Sequence, residues 1–282
     1  MNRETFLKLY NAVPRGSIPE KRNGTELVLL PAFLREPGIV HGFSTRLGGC
    51  STGVFSSLNL SLTHDDKETV LENYRRFALA AGIPYERMVF DRYEHGTRVL
   101  YVTGEDAGRG YLQEPLPPCD GLVTDTPELA LVTGHADCMA FYFYDPKGQR
   151  IGLCHAGWRG ALGRIGSEVV RVMREKGSAP EDILCGVGPS ICPECFEVGD
   201  DVADRFEAAF PSCPLRRVNE KGKAIIDLWQ VALCQFLEAG ILPEHVSFMG
   251  LCTKEDTRFY SFRREGLTGG MAACLMLKEA IL

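Results

Sequence analysis

No stretch of this chain is apolar for long enough to cross a bilayer, and its opening, MNRETFLKLYNAVPRG, lacks the apolar core of a signal peptide. These two absences lead us to expect a cytoplasmic protein with no membrane partner. Positive charge is also scarce: 31 Lys and Arg against 37 Asp and Glu leave a net charge of −6, without a basic stripe. Nucleic acid, which is held by clustered cations, is therefore not an expected partner. A small anionic substrate stays compatible, because one local arginine pocket does not require a basic protein. Repeats, low-complexity tracts and linker-like shifts are missing too, so residues 1–282 read as a single domain. Histidines number only six and are scattered. Cysteine is the exception to this sparseness. Eleven thiols cannot all pair within one chain, and in the cytosol most are expected reduced.

The remaining pattern alternates strands and helices, which predicts an α/β fold: a sandwich-like domain whose mixed β-sheet is flanked by helices. Residues 26–34 read as a strand, and 40–53 as a strand running into a glycine- and serine-rich loop. Residues 66–81 read as a helix with Val70, Tyr74, Phe77 and Ala81 on one face, stopped by Gly82. Short strands are expected over 99–103, 121–125, 182–188 and 246–253, and helices over 160–176, 198–210 and 227–240. Aromatic content makes 258–264 a strand, and small residues make the last stretch, GGMAACLMLKEAIL, a helix. The central stretch LVTGHADCMAFYFYDPKGQRIGLCHAGWRG reads as a strand carrying Cys138, a turn at Asp145–Gly148, and a second strand ending at His155.

Most of the cysteines and histidines are accounted for by packing. Cys154, Cys185, Cys234, Cys252 and Cys274 sit inside apolar patterns, where a free thiol is a small buried hydrophobe. Cys192-Pro193-Glu194-Cys195 has the spacing of a metal knuckle, but no second CxxC follows, and it reads as a loop with two incidental thiols. His41, His64 and His245 have no neighbour at ligand spacing. His95, Cys138 and His155 differ, because each ends an element beside glycine or an acid. One thiolate and two neutral imidazoles suit Zn²⁺ and leave its fourth position open. Spacing alone does not say whether the three meet.

Several blocks together carry a resemblance: HGFSTRLGG, SLNLSL, EHGTRV, CDGLVTDTPELALVTGHADC, IGLCHAGWRGALGRI, GVGPSICPECFEVG and FYSFRR. In this order, over about residues 38–278, they resemble the bacterial family once labelled laccase-domain or multicopper polyphenol oxidase. Its members are regarded as zinc-dependent purine nucleoside phosphorylases that also deaminate adenosine. The resemblance implies one Zn²⁺ held by His95, Cys138 and His155. It implies purine nucleoside (adenosine, inosine and, by extension, methylthioadenosine) and inorganic phosphate as substrates. Arg159 and Asp137 are then candidate catalytic residues, and Ser44, Arg46 and Asn59 candidate substrate contacts. The chain departs from the family pattern at Tyr93, where glutamine is usual. It departs again at His135, at Met139-Ala140 and at Gly270 in place of arginine, and every proposed ligand survives. Three other readings are a copper-dependent polyphenol oxidase, for which six scattered histidines are few, a metal-free hydrolase with Cys138 as nucleophile, for which no third group stands out, and a non-catalytic partner-binding module, for which Trp158 and the loops give no specific support.

Overall fold

The computed structural model describes residues 1–279. Two six-stranded mixed sheets face one another. In the first, strands run in the order Ile18–Arg22, Thr25–Leu29, Ile39–Ser44, Met271–Leu277, Ala130–His135 and Met88–Phe90. In the second, the order is Val246–Phe248, Leu184–Val187, Met139–Asp145, Arg150–Ala156, Gly121–Thr124 and Val99–Tyr101. The α/β class and the mixed sheets flanked by helices are as the sequence led us to expect.

Period-2 alternation sorts the strand residues into layers. Leu131, Ala273 and Leu275 of the first sheet meet Tyr142, Ile151 and Leu153 of the second in a core between the sheets. Val132, Cys274 and Met276 point the other way, onto the helix Lys67–Ala81, whose Val70, Tyr74 and Phe77 are buried. On the far side of the second sheet, Phe141, Phe143 and Cys154 pack under the helices Ile165–Glu175 and Leu228–Glu238. Both caps behave as their residues dictate: Gly82 ends the Lys67–Ala81 helix at φ 73°, and Asp227 accepts from Gln230 N at 2.9 Å to start the Leu228–Glu238 helix.

Four expectations need correction. The central stretch is not one strand before its turn but two, Ala130–His135 and Met139–Asp145, lying in different sheets. The chain crosses between sheets at Ala136-Asp137-Cys138, with Asp137 at φ 91°. Cys138 therefore sits on a crossover, not on a strand. The expected 160–176 helix is two, Trp158–Leu162 and Ile165–Glu175, broken at Arg164 with φ 67°. That residue is tied down elsewhere, to Glu238 at 3.0 Å and to the Ala209 carbonyl at 2.6 Å. Residues 258–264 are loop and a short helix, Phe262–Glu265, started by the Ser261 side chain. Met271–Leu277, expected as helix, is a central strand paired on both sides, while Ala280, Ile281 and Leu282 lie outside the described residues. Burial of both its faces outweighs the modest strand propensity of its Met, Ala and Leu residues. The Arg3–Ala12 helix and the small sheet of Glu197–Val198, Ala224–Ile226 and Arg216–Val218 were not expected.

Candidate functional site

Hairpin register sets the first member of the candidate triad. Met139–Asp145 and Arg150–Ala156 pair antiparallel with Ala140 opposite His155, which puts His155 on the face shared with Ile151 and Leu153. It thus ends the layer between the two sheets. Its backbone N–H donates to the Asp120 carbonyl at 2.8 Å, and its Nδ1–H donates to Asp120 Oδ1 at 3.1 Å. That bond fixes the tautomer and turns Nε2 toward the Cys138 sulfur.

Asp120 does more than orient one ring. Fully buried, it also accepts from the backbone N–H groups of Glu94 at 3.2 Å, His95 at 2.9 Å and Gly96 at 2.8 Å. One carboxylate therefore positions both imidazoles: His155 through its ring and His95 through a turn in which His95 adopts φ 62°. Burial alone would raise the Asp120 carboxyl, but the His155 bond and the N–H groups of Gly96 and Glu94 hold it below the usual range.

Cys138 arrives through the crossover. Asp137 can hold φ 91° because its carboxylate accepts from Thr253 Oγ1 at 2.6 Å, Ser261 Oγ at 3.0 Å and Arg263 N at 2.7 Å. The Asp137 carboxylate is committed to shaping the turn. The next residue then brings its sulfur to the two imidazoles, and the three ligand atoms lie within 4.8 Å of one another. Gly157 closes over them. A Cβ there would stand 2.7 Å from His95 Cδ2, 3.3 Å from His155 Cε1 and 3.4 Å from Cys138 Sγ. Burial would raise the Cys138 thiol, but His155 and His95 outweigh it and hold it at about 6. Burial would lower His155, but the Cys138 thiolate and Asp120 bring it to about 10. Without a metal the Cys138 thiolate is paired with a protonated His155, and a cation bound by the triad would take the place of that proton.

A cavity of about 850 Å³ opens beside this triad. Loops 60–64, 90–93, 134–136 and 266–271 line it, with Tyr74 and Phe262. Tyr93 joins cavity to triad, its ring centroid 4.5 Å from that of His155 and 5.6 Å from that of His95. His135 lies on the other side of His155, at 5.5 Å. The break after His135 lets its Nδ1–H donate to the Cys138 carbonyl at 3.1 Å, while Thr133 Oγ1 donates to its Nε2 at 2.8 Å. Burial, then His155, keeps His135 well below its ordinary value, so it is neutral. Asp91 lines the same cavity with a buried Oδ2 that has no hydrogen-bond partner among the described residues. Burial pushes its carboxyl up to about 8, with Asp120 adding to the effect and His155 opposing it.

The remaining candidates are placed differently. Ser44 is buried and its Oγ accepts from Ala272 N at 2.9 Å, tying two strands of the first sheet. Asn59 brackets a loop, accepting from Gly270 N at 2.8 Å and Ser61 N at 3.0 Å and donating to Asp65 at 3.0 Å. Arg46 donates to Glu265 at 2.8 Å and to the Ser56 carbonyl at 2.9 Å, stacked 4.2 Å above Tyr260. These three side chains are engaged with their own loops and sheet. Arg159 is exposed, 4.3 Å over the Trp158 ring, with no carboxylate or hydrogen-bond partner among the described residues. Its helix is only five residues long, so any hold on an anion rests on the guanidinium and not on a helix dipole. Asp120 and Asp91 were not singled out in the sequence. The only signal was the place of Asp120 in CDGLVTD, where an aspartate before glycine reads equally well as a turn residue.

Comparison with known proteins follows this geometry. Residues 40–278 match the family model described as "Multi-copper polyphenol oxidoreductase laccase". Over 250 residues the chain is 37% identical to a Bacillus subtilis protein named purine nucleoside phosphorylase YlmD, covering 86% of this chain and 90% of the relative. A Deinococcus radiodurans purine nucleoside phosphorylase is 38% identical over 249 residues, covering 87% of this chain and 92% of its own length. The crystal structure of YlmD from Geobacillus stearothermophilus superposes with a TM-score of 0.87 at 35% identity, covering 93% of this chain and all of that one. The chain belongs to the multi-copper polyphenol oxidoreductase laccase family, among relatives named purine nucleoside phosphorylases.

Proposed function

We propose that the protein is a cytoplasmic, zinc-dependent purine nucleoside phosphorylase. The observation that carries this reading is the convergence of His95, Cys138 and His155 beside a cavity large enough for a nucleoside. The donor set fits zinc: one thiolate and two imidazoles, with a carboxylate behind one of them. A multicopper centre needs more imidazoles than the two that converge here, which favours zinc over copper. Held by these three residues, zinc would supply a positive charge that polarises the substrate atom facing it.

In phosphorolysis a phosphate oxygen bonds to the anomeric carbon as the glycosidic C–N bond breaks. The bonding pair leaves with the purine, which takes up a proton, and ribose 1-phosphate remains. The cavity would hold the nucleoside, its base against the Tyr93 and Tyr74 rings. Asp91, protonated near neutral pH and unpartnered at Oδ2, would donate the proton to the leaving base. Arg159, two residues past the glycine that abuts all three ligands, is a free guanidinium suited to phosphate. His135, neutral and tied to the Cys138 carbonyl, holds the ligand loop. A zinc held by three protein ligands would leave room for water or substrate, and with the Asp91 acid this also suits adenosine deamination, which we include in the proposal. The test is paired metal analysis and assay: wild type should carry about one zinc at this triad and release base from inosine, and Cys138→Ala should lose both. A Cys138→Ala protein that keeps full phosphorolysis would overturn the reading.

A further inference from the structure

Far along the chain from the first triad, a second group of thiols converges. The sulfurs of Cys192, Cys195 and Cys252 lie within 4.8 Å of one another. Cys192 and Cys252 are buried, Cys195 lies at the rim, and all three are free thiols. The first two come from the knuckle-spaced Cys192-Pro193-Glu194-Cys195, whose missing second half is not another CxxC. It is Cys252-Thr253-Lys254-Glu255, a turn with a carboxylate in the fourth position, and Glu255 Oε1 stands 3.6 Å from the Cys195 sulfur.

We propose that Cys192, Cys195, Cys252 and Glu255 form a second metal site, structural in role, for a thiophilic divalent cation of the Zn²⁺ class. An ion about 2.3 Å from each sulfur sets S···S separations of about 3.8–4.0 Å, so the thiols need close in by no more than about 1 Å. The backbone already reaches the sulfur at the centre of the group: the Cys192 N–H donates to Cys252 Sγ at 3.3 Å. Such N–H to sulfur bonds are the outer support that metal-bound cysteines require.

The position of the site gives its purpose. The Ile191 N–H donates to the Asp137 carbonyl at 2.9 Å, and Thr253 Oγ1 donates to the Asp137 carboxylate at 2.6 Å. The two metal-binding turns therefore grip Asp137 from both sides, and Asp137 shapes the crossover that presents Cys138. A cation joining the turns closes a ring around that crossover and ties the folding of one site to the other.

The experiment is a Co²⁺ titration of the full-length chain, stripped with chelator under reducing conditions. Wild type should take up about two equivalents, both giving thiolate-to-cobalt charge-transfer absorption. Cys192→Ser/Cys252→Ser should take up about one, and Cys138→Ala should also take up about one while keeping the stronger, multi-thiolate absorption. Glu255→Ala, a surface change that spares the fold, should weaken the second equivalent at least about tenfold. A single equivalent in wild type that vanishes with Cys138→Ala would overturn the proposal. So would a second equivalent unchanged in both the double variant and Glu255→Ala, or a Cys192–Cys252 disulfide in protein purified without reductant.

Discussion

Asp120→Asn is the sharpest perturbation the site offers, because it is nearly isosteric and keeps one of the two oxygens. Oδ1 accepts from His155 Nδ1 and His95 N, and Oδ2 from Glu94 N and Gly96 N. Whichever way an asparagine amide turns, its NH₂ faces two donors, so two buried N–H groups lose their acceptor and meet a donor instead. Each buried donor left unsatisfied costs about 1–3 kcal/mol, so the fold should lose about 2–6 kcal/mol in all. The metal should loosen as well, because the carboxylate no longer fixes the His155 tautomer. Outer-shell partners of ligating histidines are typically worth about 10- to 100-fold in affinity, or about 1.4–2.7 kcal/mol. The assay is zinc affinity by chelator competition, read beside urea unfolding of the metal-free protein. Unchanged zinc affinity in Asp120→Asn would refute the claim that this residue organises the centre.

Three further outcomes follow from particular contacts. Gly157→Ala should weaken zinc at least about tenfold while costing the fold only about 1–3 kcal/mol, because its methyl group meets His95 Cδ2 at 2.7 Å; wild-type affinity by the same competition would refute it. His41 is pushed down to about 4 by burial, and its Nε2 accepts from Leu30 N at 2.8 Å, so the folded state holds it neutral. Its contribution to stability is full above an unfolded value of about 6.5 and is lost as pH falls toward 4, by up to about 3 kcal/mol; unfolding curves across this window check it, and a flat profile would contradict it. Arg159→Ala should raise the phosphate KM at least about tenfold with the Tm held, and Arg159→Lys should lose less; a normal phosphate KM together with a lowered Tm would make Arg159 a packing residue on Trp158.

The three residues of the candidate triad were singled out in the sequence because each was expected at an element end, although the structure puts His95 in a loop and Cys138 on a crossover. Their convergence was not legible, because it depends on a crossover between sheets. At Asp137 the chain turns with φ 91°, and the bonds that hold it come from Thr253, Ser261 and Arg263, more than a hundred residues away. No local pattern announces that. The long helix 67–81 was legible from its 3.6-residue period and its glycine stop, signals that need no partner. Met271–Leu277 was not: alanine, methionine and leucine favour helix locally, and only its place between two strands decides otherwise. Residues 258–264 failed in the opposite direction. Phe259 and Tyr260 are buried from a loop, so aromatic content signalled burial but not a strand. The same limit hid the Cys252 turn, whose partners lie on a different loop.

The central claim is that this site transfers a ribosyl group from a purine to phosphate, and one product measurement addresses it directly. Zinc-loaded protein is incubated with inosine in buffers with and without inorganic phosphate, and the sugar product is identified. The account predicts hypoxanthine and ribose 1-phosphate in equal amounts when phosphate is present, and neither product when it is absent. Free ribose formed at the same rate in both buffers would contradict it.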